Sequence, residues 1–222
     1  MKRDAPSIQE VGTKRFAVFG STGLTGRKIV ELALDRGNHI TAMARHTARL
    51  NELASRVTVV EGDVMDPGSV DRAVTESDAV LSALGRSKGA PDDFETVAIG
   101  NIVASMSANG VRRLVVLSNN AVPDPADKPT TGQRLARGML KLFRRTVYDD
   151  ALGKARAVKG SDLDWTIVRA SILTNAPPLG TYRTGRMERG AGVRVSRGDV
   201  AEFMLKCATE GKYVRECPYI GG

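Results

Sequence analysis

Cysteine and histidine are nearly missing from this 222-residue chain: Cys207 and Cys217 lie near one end, and His39 and His46 lie close together. So few soft ligands argue against a zinc centre, and no metal site is expected. A Ser-His-Asp triad would have to use His39 or His46, both beside one expected strand, which makes a nucleophilic hydrolase a poor reading. Two cysteines without secretory context read as reduced thiols, with the cytoplasm as the expected compartment. No apolar run reaches the roughly 18 residues a membrane span needs, so no membrane partner is expected. Aromatic residues make up 5% of the chain, without basic–aromatic interleaving, and a nucleic-acid partner is not expected either. Met1 to Lys14 is polar and lacks the apolar segment of a signal peptide. It reads as a flexible tail ahead of one domain spanning 15–222, large enough to bury a core. The excess of cations, +8 at neutral pH, fits solubility or an anionic ligand.

The informative stretch is Phe16-Ala17-Val18-Phe19-Gly20-Ser21-Thr22-Gly23-Leu24-Thr25-Gly26. Four apolar residues rich in β-formers predict a buried strand, and apolar residues at helical spacing follow the three glycines. A strand, a tight glycine turn and a helix start make a phosphate site, because backbone N–H groups converge there with the positive end of the helix dipole. Gly20, Gly23 and Gly26 let a pyrophosphate approach closely. A P-loop is ruled out, since Gly26 is followed by Arg27-Lys28-Ile29 rather than Lys-Ser/Thr.

Downstream, His39 to Ala44 reads as a second strand that ends at Arg45, with Arg49 one turn on. An acid at this distance would hold ribose hydroxyls and repel a phosphate, whereas arginine forks bind it, so NADP is favoured over NAD. Val57 to Glu61 reads as a third strand, closed by Gly62-Asp63-Val64. There Asp63 would accept from an adenine amino group, or only stabilise the loop, and Val64 would pack on the ring. Asp66 and Pro67 predict a helix start. Further strands are expected at Ala79 to Ser82, ending near Gly85, and at Leu114 to Ser118, with a helix from Phe94 to Asn109 between them. Residues 132–160 read as mostly helical. Leu135, Met139, Leu142, Phe143 and Val147 share one face of that segment, and Arg134, Arg137, Lys141, Arg144 and Arg145 share the other. Leu163 to Arg169 makes a sixth strand, Val193 to Val195 a short one, Ser196-Arg197-Gly198-Asp199 a capping box, and the region near Tyr213 to Ile220 a last strand. Alternating strands and helices with nearly continuous apolar strands predict an α/β fold, a doubly wound parallel sheet with helices on both faces.

With those pieces in order, the chain resembles the atypical short-chain dehydrogenase/reductases. It is similar to their NAD(P)H-binding group, which includes the NmrA-like proteins, and within it to the biliverdin-IXβ reductase or flavin-reductase branch. The matching stretches are Phe19 to Gly26, Arg45 to Leu50, Gly62-Asp63-Val64, Asp78-Ala79-Val80 with Leu84-Gly85, Asn101-Ile102-Val103, and Gly110-Val111 with the strand ending at Ser118. Trp165 to Arg169, Gly180-Thr181-Tyr182 and Ser196 to Leu205 complete them.

The resemblance implies a Rossmann fold with a small C-terminal substrate lobe, and NADPH as cofactor. By the family's pattern Thr22, Leu24 and Thr25 line the pyrophosphate, Arg45 and Arg49 take the 2′-phosphate, and Asp63 and Val64 take the adenine. Leu84, Gly85 and Ser118 flank the nicotinamide. Ser118 and Lys154 are the expected catalytic pair, Ser118 bonding the carboxamide or the acceptor and Lys154 holding ribose or an anion. The family's Tyr-x-x-x-Lys is incomplete, because the position four before Lys154 is Asp150. That favours a small planar acceptor, such as a flavin, a biliverdin-like tetrapyrrole or a quinone, that draws its proton from water. The alternative is a non-catalytic NADP(H)-sensing protein of the NmrA-like type. A monomer or small homo-oligomer is expected.

Overall fold

The computed structural model describes residues 12–222, apart from 88, 121, 126, 129 and 189–191 and the side chains of 136 and 137. The expected tail therefore falls largely outside the described residues. The strands are β1 (Arg15–Phe19), β2 (His39–Ala44), β3 (Thr58–Glu61), β4 (Ala79–Ser82), β5 (Arg113–Asn119), β6 (Asp164–Ala170), β7 (Ile172–Thr174), β8 (Arg183–Gly185), β9 (Arg194–Ser196) and β10 (Tyr219–Gly221). The helices are α1 (Leu24–Asp35), α2 (Pro67–Val74), α3 (Phe94–Ala108), α4 (Thr131–Phe143), α5 (Arg145–Lys159) and α6 (Arg197–Glu210).

Eight strands form one sheet in the order β3-β2-β1-β4-β5-β6-β10-β8, parallel except for β8, which runs antiparallel to β10. The other two strands, β7 and β9, pair separately. The strand order reverses between β1 and β4, so their carboxyl ends open a crevice, the place where such sheets take ligands. Alternation along β1 sends Phe16 and Val18 to one face and Ala17 and Phe19 to the other. On the first face α1 and α6 bury Ile29, Val30, Met204 and Leu205; on the second α2, α3 and α5 bury Val70, Ile99, Ile102 and Val158. The doubly wound α/β expectation therefore holds, with an antiparallel edge strand the apolar runs did not reveal.

Several boundaries differ from expectation. A 3₁₀ segment, Thr47–Ser55, follows β2 with a kink at Asn51, whose φ is 51°. Arg27 of α1 anchors it by pairing with Glu52 and by donating to the Leu50 carbonyl at 3.2 Å. The long helix expected over 132–160 breaks at Arg144, where φ and ψ are −136° and 46°. The apolar face of the first helix, α4, is open to solvent: Leu135, Met139, Leu142 and Phe143 are 66, 52, 74 and 71% exposed. Val147, expected on the same face, belongs to the next helix and is half-buried. The last strand is confined to Tyr219–Gly221. Both cysteines are free and buried, and burial pushes the Cys207 thiol up to about 12, so it is no nucleophile at neutral pH.

Candidate functional site

The turn after β1 is built by its glycines. Gly20 has φ +78°, and a Cβ there would lie 2.7 Å from the Ala83 carbonyl oxygen of the β4 exit. A Cβ on Gly26 would lie 2.0 Å from the Gly20 oxygen, so this glycine lets α1 pack on the turn. Gly23 donates its N–H to the Gly20 carbonyl at 2.9 Å and occupies the N-cap of α1. No side chain caps that helix and no acid stands in its first turn, which leaves its N–H groups and positive dipole end available to an anion. Ser21, which carried no assignment in the sequence, is fully buried and donates to the Met43 carbonyl at 2.9 Å, locking the turn to β2.

A cleft of about 750 Å³, counted to its open mouth, lies along the carboxyl ends of β1 to β4. Gly20, Thr22 and Gly23 line it from the turn, Arg45 and Arg49 from beyond β2, Val64 from beyond β3, and Leu84, Gly85 and Ser87 from beyond β4. Eight of the expected site residues therefore converge. A Cβ on Gly85 would meet nothing within 4 Å, so the wall there is open for a flat group to approach. The guanidinium of Arg45 is half-exposed, 3.9 Å from the Asp63 carboxylate and 3.4 Å from the Ser87 hydroxyl. Such an exposed contact holds the side chain only weakly. Arg49 makes no ion pair among the described residues.

Other assigned residues stand apart from the lining. Leu24 is exposed on the first turn of α1, while Thr25 and Gly26 are buried beneath it. Asp63 accepts the Met65 N–H at 2.9 Å, the loop-stabilising part of its expected role. The Val64 carbonyl receives a hydrogen bond from the Asn101 amide at 3.0 Å, a support no spacing rule pointed to.

Ser118 is the last residue but one of β5 and is buried; its hydroxyl and that of Ser82 on β4 have no hydrogen-bond partner among the described residues. Buried orphan hydroxyls are rare and costly, so a hydrogen-bonding group from a ligand would satisfy them.

Lys154 is 4% exposed and does not reach the cleft: its ammonium pairs with Glu95 and donates to the Leu117 carbonyl at 3.2 Å. Asp150, one turn earlier, accepts the N–H groups of Glu95 and Thr96 at 3.0 and 2.8 Å and the Thr96 hydroxyl at 2.7 Å. It thus caps α3 from α5, in place of Asp93, which makes no side-chain cap. The Asp150-x-x-x-Lys154 pair clamps α3 and β5 together. Replacing Asp150 with alanine should cost about 1–2 kcal/mol, as lost caps do, measured as a lowered thermal midpoint.

Two more polar clusters shape the region beyond β5 and β6. Arg169, 1% exposed, makes two hydrogen bonds to Asp127, and donates to the carbonyls of Cys217 and Val122 at 2.7 and 3.2 Å. Asp127 also accepts the Met187 N–H at 3.1 Å. One buried guanidinium therefore gathers Val122, Asp127 and Cys217, and through Asp127 also Met187. At the start of α6, Ser196 accepts the Asp199 N–H as expected. The other half of the expected capping box is replaced: the Asp199 carboxylate takes the Ser196 hydroxyl and the N–H groups of Leu179 and Gly180. It holds the loop after β7 as well as the hydroxyl of its own cap residue.

The sequence profile of the NAD(P)H-binding family matches residues 20–211. The chain belongs to that family. It is 32% identical over 210 residues to a chloroplastic protein of Arabidopsis thaliana, covering 88% of this chain and 72% of that one. It is 34% identical over 154 residues to the (4-alkanoyl-5-oxo-2,5-dihydrofuran-3-yl)methyl phosphate reductase of Streptomyces griseus, covering 68% of this chain and 45% of that enzyme. The chain thus matches less than half the length of that reductase. An anaerobillin reductase from Escherichia coli O157:H7 shares the fold, with a TM-score of 0.77 and 21% identity over 93% of this chain and 96% of that one. Among the described residues no helix is long and apolar enough to cross a membrane.

Proposed function

We propose that the protein is an NADPH-dependent reductase that passes hydride to a planar acceptor such as a flavin, a biliverdin-like tetrapyrrole or a quinone. The observation that carries the reading is the single cleft joining the uncapped glycine turn, Arg45 and Arg49, and the β4 exit at Leu84 and Gly85. Names among the relatives and fold neighbours, both reductases, support it.

The residues present fit the cofactor. The turn N–H groups and α1 dipole suit a pyrophosphate. Arg45 and Arg49 suit a 2′-phosphate, and Val64, with Asp63 behind it, suits the adenine. Reduced nicotinamide, when bound, supplies the hydride. The open wall at Gly85 and the orphan hydroxyls of Ser82 and Ser118 would receive its half of the molecule, with Ser118 as the donor to the carboxamide or the acceptor. For Lys154, the pairing with Glu95 favours a positioning role: it fixes the Leu117 carbonyl and thereby the backbone that carries Ser118. Asp150, engaged as a helix cap, does not replace the missing tyrosine, which fits an acceptor that draws its proton from water while the chain contributes mainly orientation. A reducing compartment such as the cytoplasm suits the two free thiols.

The test follows NADPH absorbance in the presence of FMN, a quinone or biliverdin in turn. Oxidation with any of them supports the reductase; tight NADPH binding without turnover of any supports the NADP(H)-sensing alternative. Ser118→Ala should slightly raise the stability of the free protein, because it removes an unpaired buried hydroxyl. It should weaken NADPH binding by about 1 kcal/mol, roughly fivefold in Kd by titration, if the hydroxyl donates to the cofactor.

A further inference from the structure

Helix α4 contradicts the ordinary rule for amphipathic helices. Leu135, Met139, Leu142 and Phe143 fall within one arc of its surface, and all four are more than half exposed. Among the described side chains of α4 only Gln133 and Leu140, on the opposite side of the helix, are partly covered. The apolar ridge thus points away from the protein. In sequence the stretch from Lys128 to Tyr148 holds Lys128, Arg134, Arg137, Lys141, Arg144 and Arg145 and not one acid. Arg134, Lys141 and Arg144 make no ion pair among the described residues, and Arg145 pairs only with Asp149 at 3.4 Å.

We propose that α4 is an interfacial helix by which the protein docks on anionic lipid bilayers. An apolar ridge of leucine, methionine and phenylalanine beside Lys and Arg is the pattern of helices that lie in the headgroup–acyl boundary, their long cationic side chains reaching lipid phosphates. Charge complementarity selects this occupant. A second copy would bring two acid-free basic helices together, which like-charge repulsion opposes. A fluid bilayer accommodates a protruding ridge, whereas a protein partner would need a groove cut to its shape. The expectation of no membrane partner followed from the lack of a spanning run, and an interfacial helix needs none. The inference is independent of the reductase reading.

Flotation with vesicles tests it. The protein should float with vesicles of equal parts phosphatidylcholine and phosphatidylglycerol, not with phosphatidylcholine alone, and added salt should release it. Leu142→Ser with Phe143→Ser should abolish flotation. Arg134→Gln with Lys141→Gln should weaken it about 30-fold, at about a factor of five per cation near an anionic surface. All four residues are exposed, so both variants should melt with the parent protein. Failure of the parent protein to float, or equal flotation of the apolar variant, overturns the proposal. So does a solution dimer that the apolar variant dissociates while the parent protein ignores vesicles, which would assign the ridge to a second copy.

Discussion

Arg169→Met should lower stability by about 3–5 kcal/mol, the range for removing one partner of a buried ion pair. For a chain of this size that is a fall of roughly 10 °C in the thermal midpoint. The side chains of Arg169 and Asp127 are 1% and 3% exposed, so the carboxylate, having lost its charged partner, could not rehydrate without opening the structure. Two carbonyls would also lose their donor, at Val122 and Cys217. The double replacement Arg169→Met with Asp127→Leu should recover part of the loss, because it removes the stranded charge along with the pair; a double variant as unstable as the sum would overturn this account. Acid gives a second readout. Burial alone would raise the Asp127 pKa, but the hydrogen bonds and charge of Arg169, with N–H groups from Met187 and Asp124, hold it below the ordinary carboxylate range. Its contribution is therefore complete above the unfolded value of about 4 and is lost as the pH falls through the lower folded value. Asp127→Asn should be less stable than the parent protein at neutral pH and should show a shallower decline on acidification.

Arg45→Ala should weaken NADPH binding about 10- to 100-fold while leaving NADH binding nearly unchanged. The estimate is that of a charge-assisted hydrogen bond, about 1.5–3 kcal/mol. Among the described residues the side chain is held by the long contact to Asp63 and by the Ser87 hydroxyl, so redirecting it to a phosphate costs little. Arg49→Ala should have a smaller effect in the same direction, because Arg49 sits farther along the kinked 3₁₀ segment that Arg27 anchors. Fluorescence titration with both nucleotides reads the difference. Equal weakening of NADH and NADPH would mean that Arg45 shapes the cleft without reading the phosphate; no change in either would remove it from the site.

Local signals carried much of this protein. The glycine turn, the end of β2 at Ala44 and the Asp66-Pro67 helix start are short-range events, decided by φ preference, side-chain alternation and a carboxylate that reaches N–H groups two and three residues on. The cleft followed from them, because parallel strands bring their carboxyl ends to one edge whatever the loops between them contain. The polar clamps were not legible. Asp150 caps a helix that begins more than fifty residues earlier, Asp199 secures a loop nineteen and twenty residues back, and Arg169 reaches Asp127 across the β5–β6 connection. No periodicity links such partners. Even the amphipathic pattern at 135–143, easily read as buried, faces outward, because α5 occupies the sheet's second face and leaves α4 outside it.

By itself, then, the sequence determined the order of the central strands β1 to β6, the glycine turn after β1 and the positions of Arg45 and Arg49, all set by steric and hydrogen-bonding choices within a few residues. Only the tertiary structure decided which buried charges meet and what they hold. Lys154 was assigned to Glu95 and the β5 backbone, Ser118 was left with an unsatisfied hydroxyl, and the apolar ridge of α4 was turned to solvent. The reason is that burial removes water as the alternative partner. Each charged or polar group must then take whatever neighbour the packed helices and strands bring to it, and that neighbour is far away in sequence.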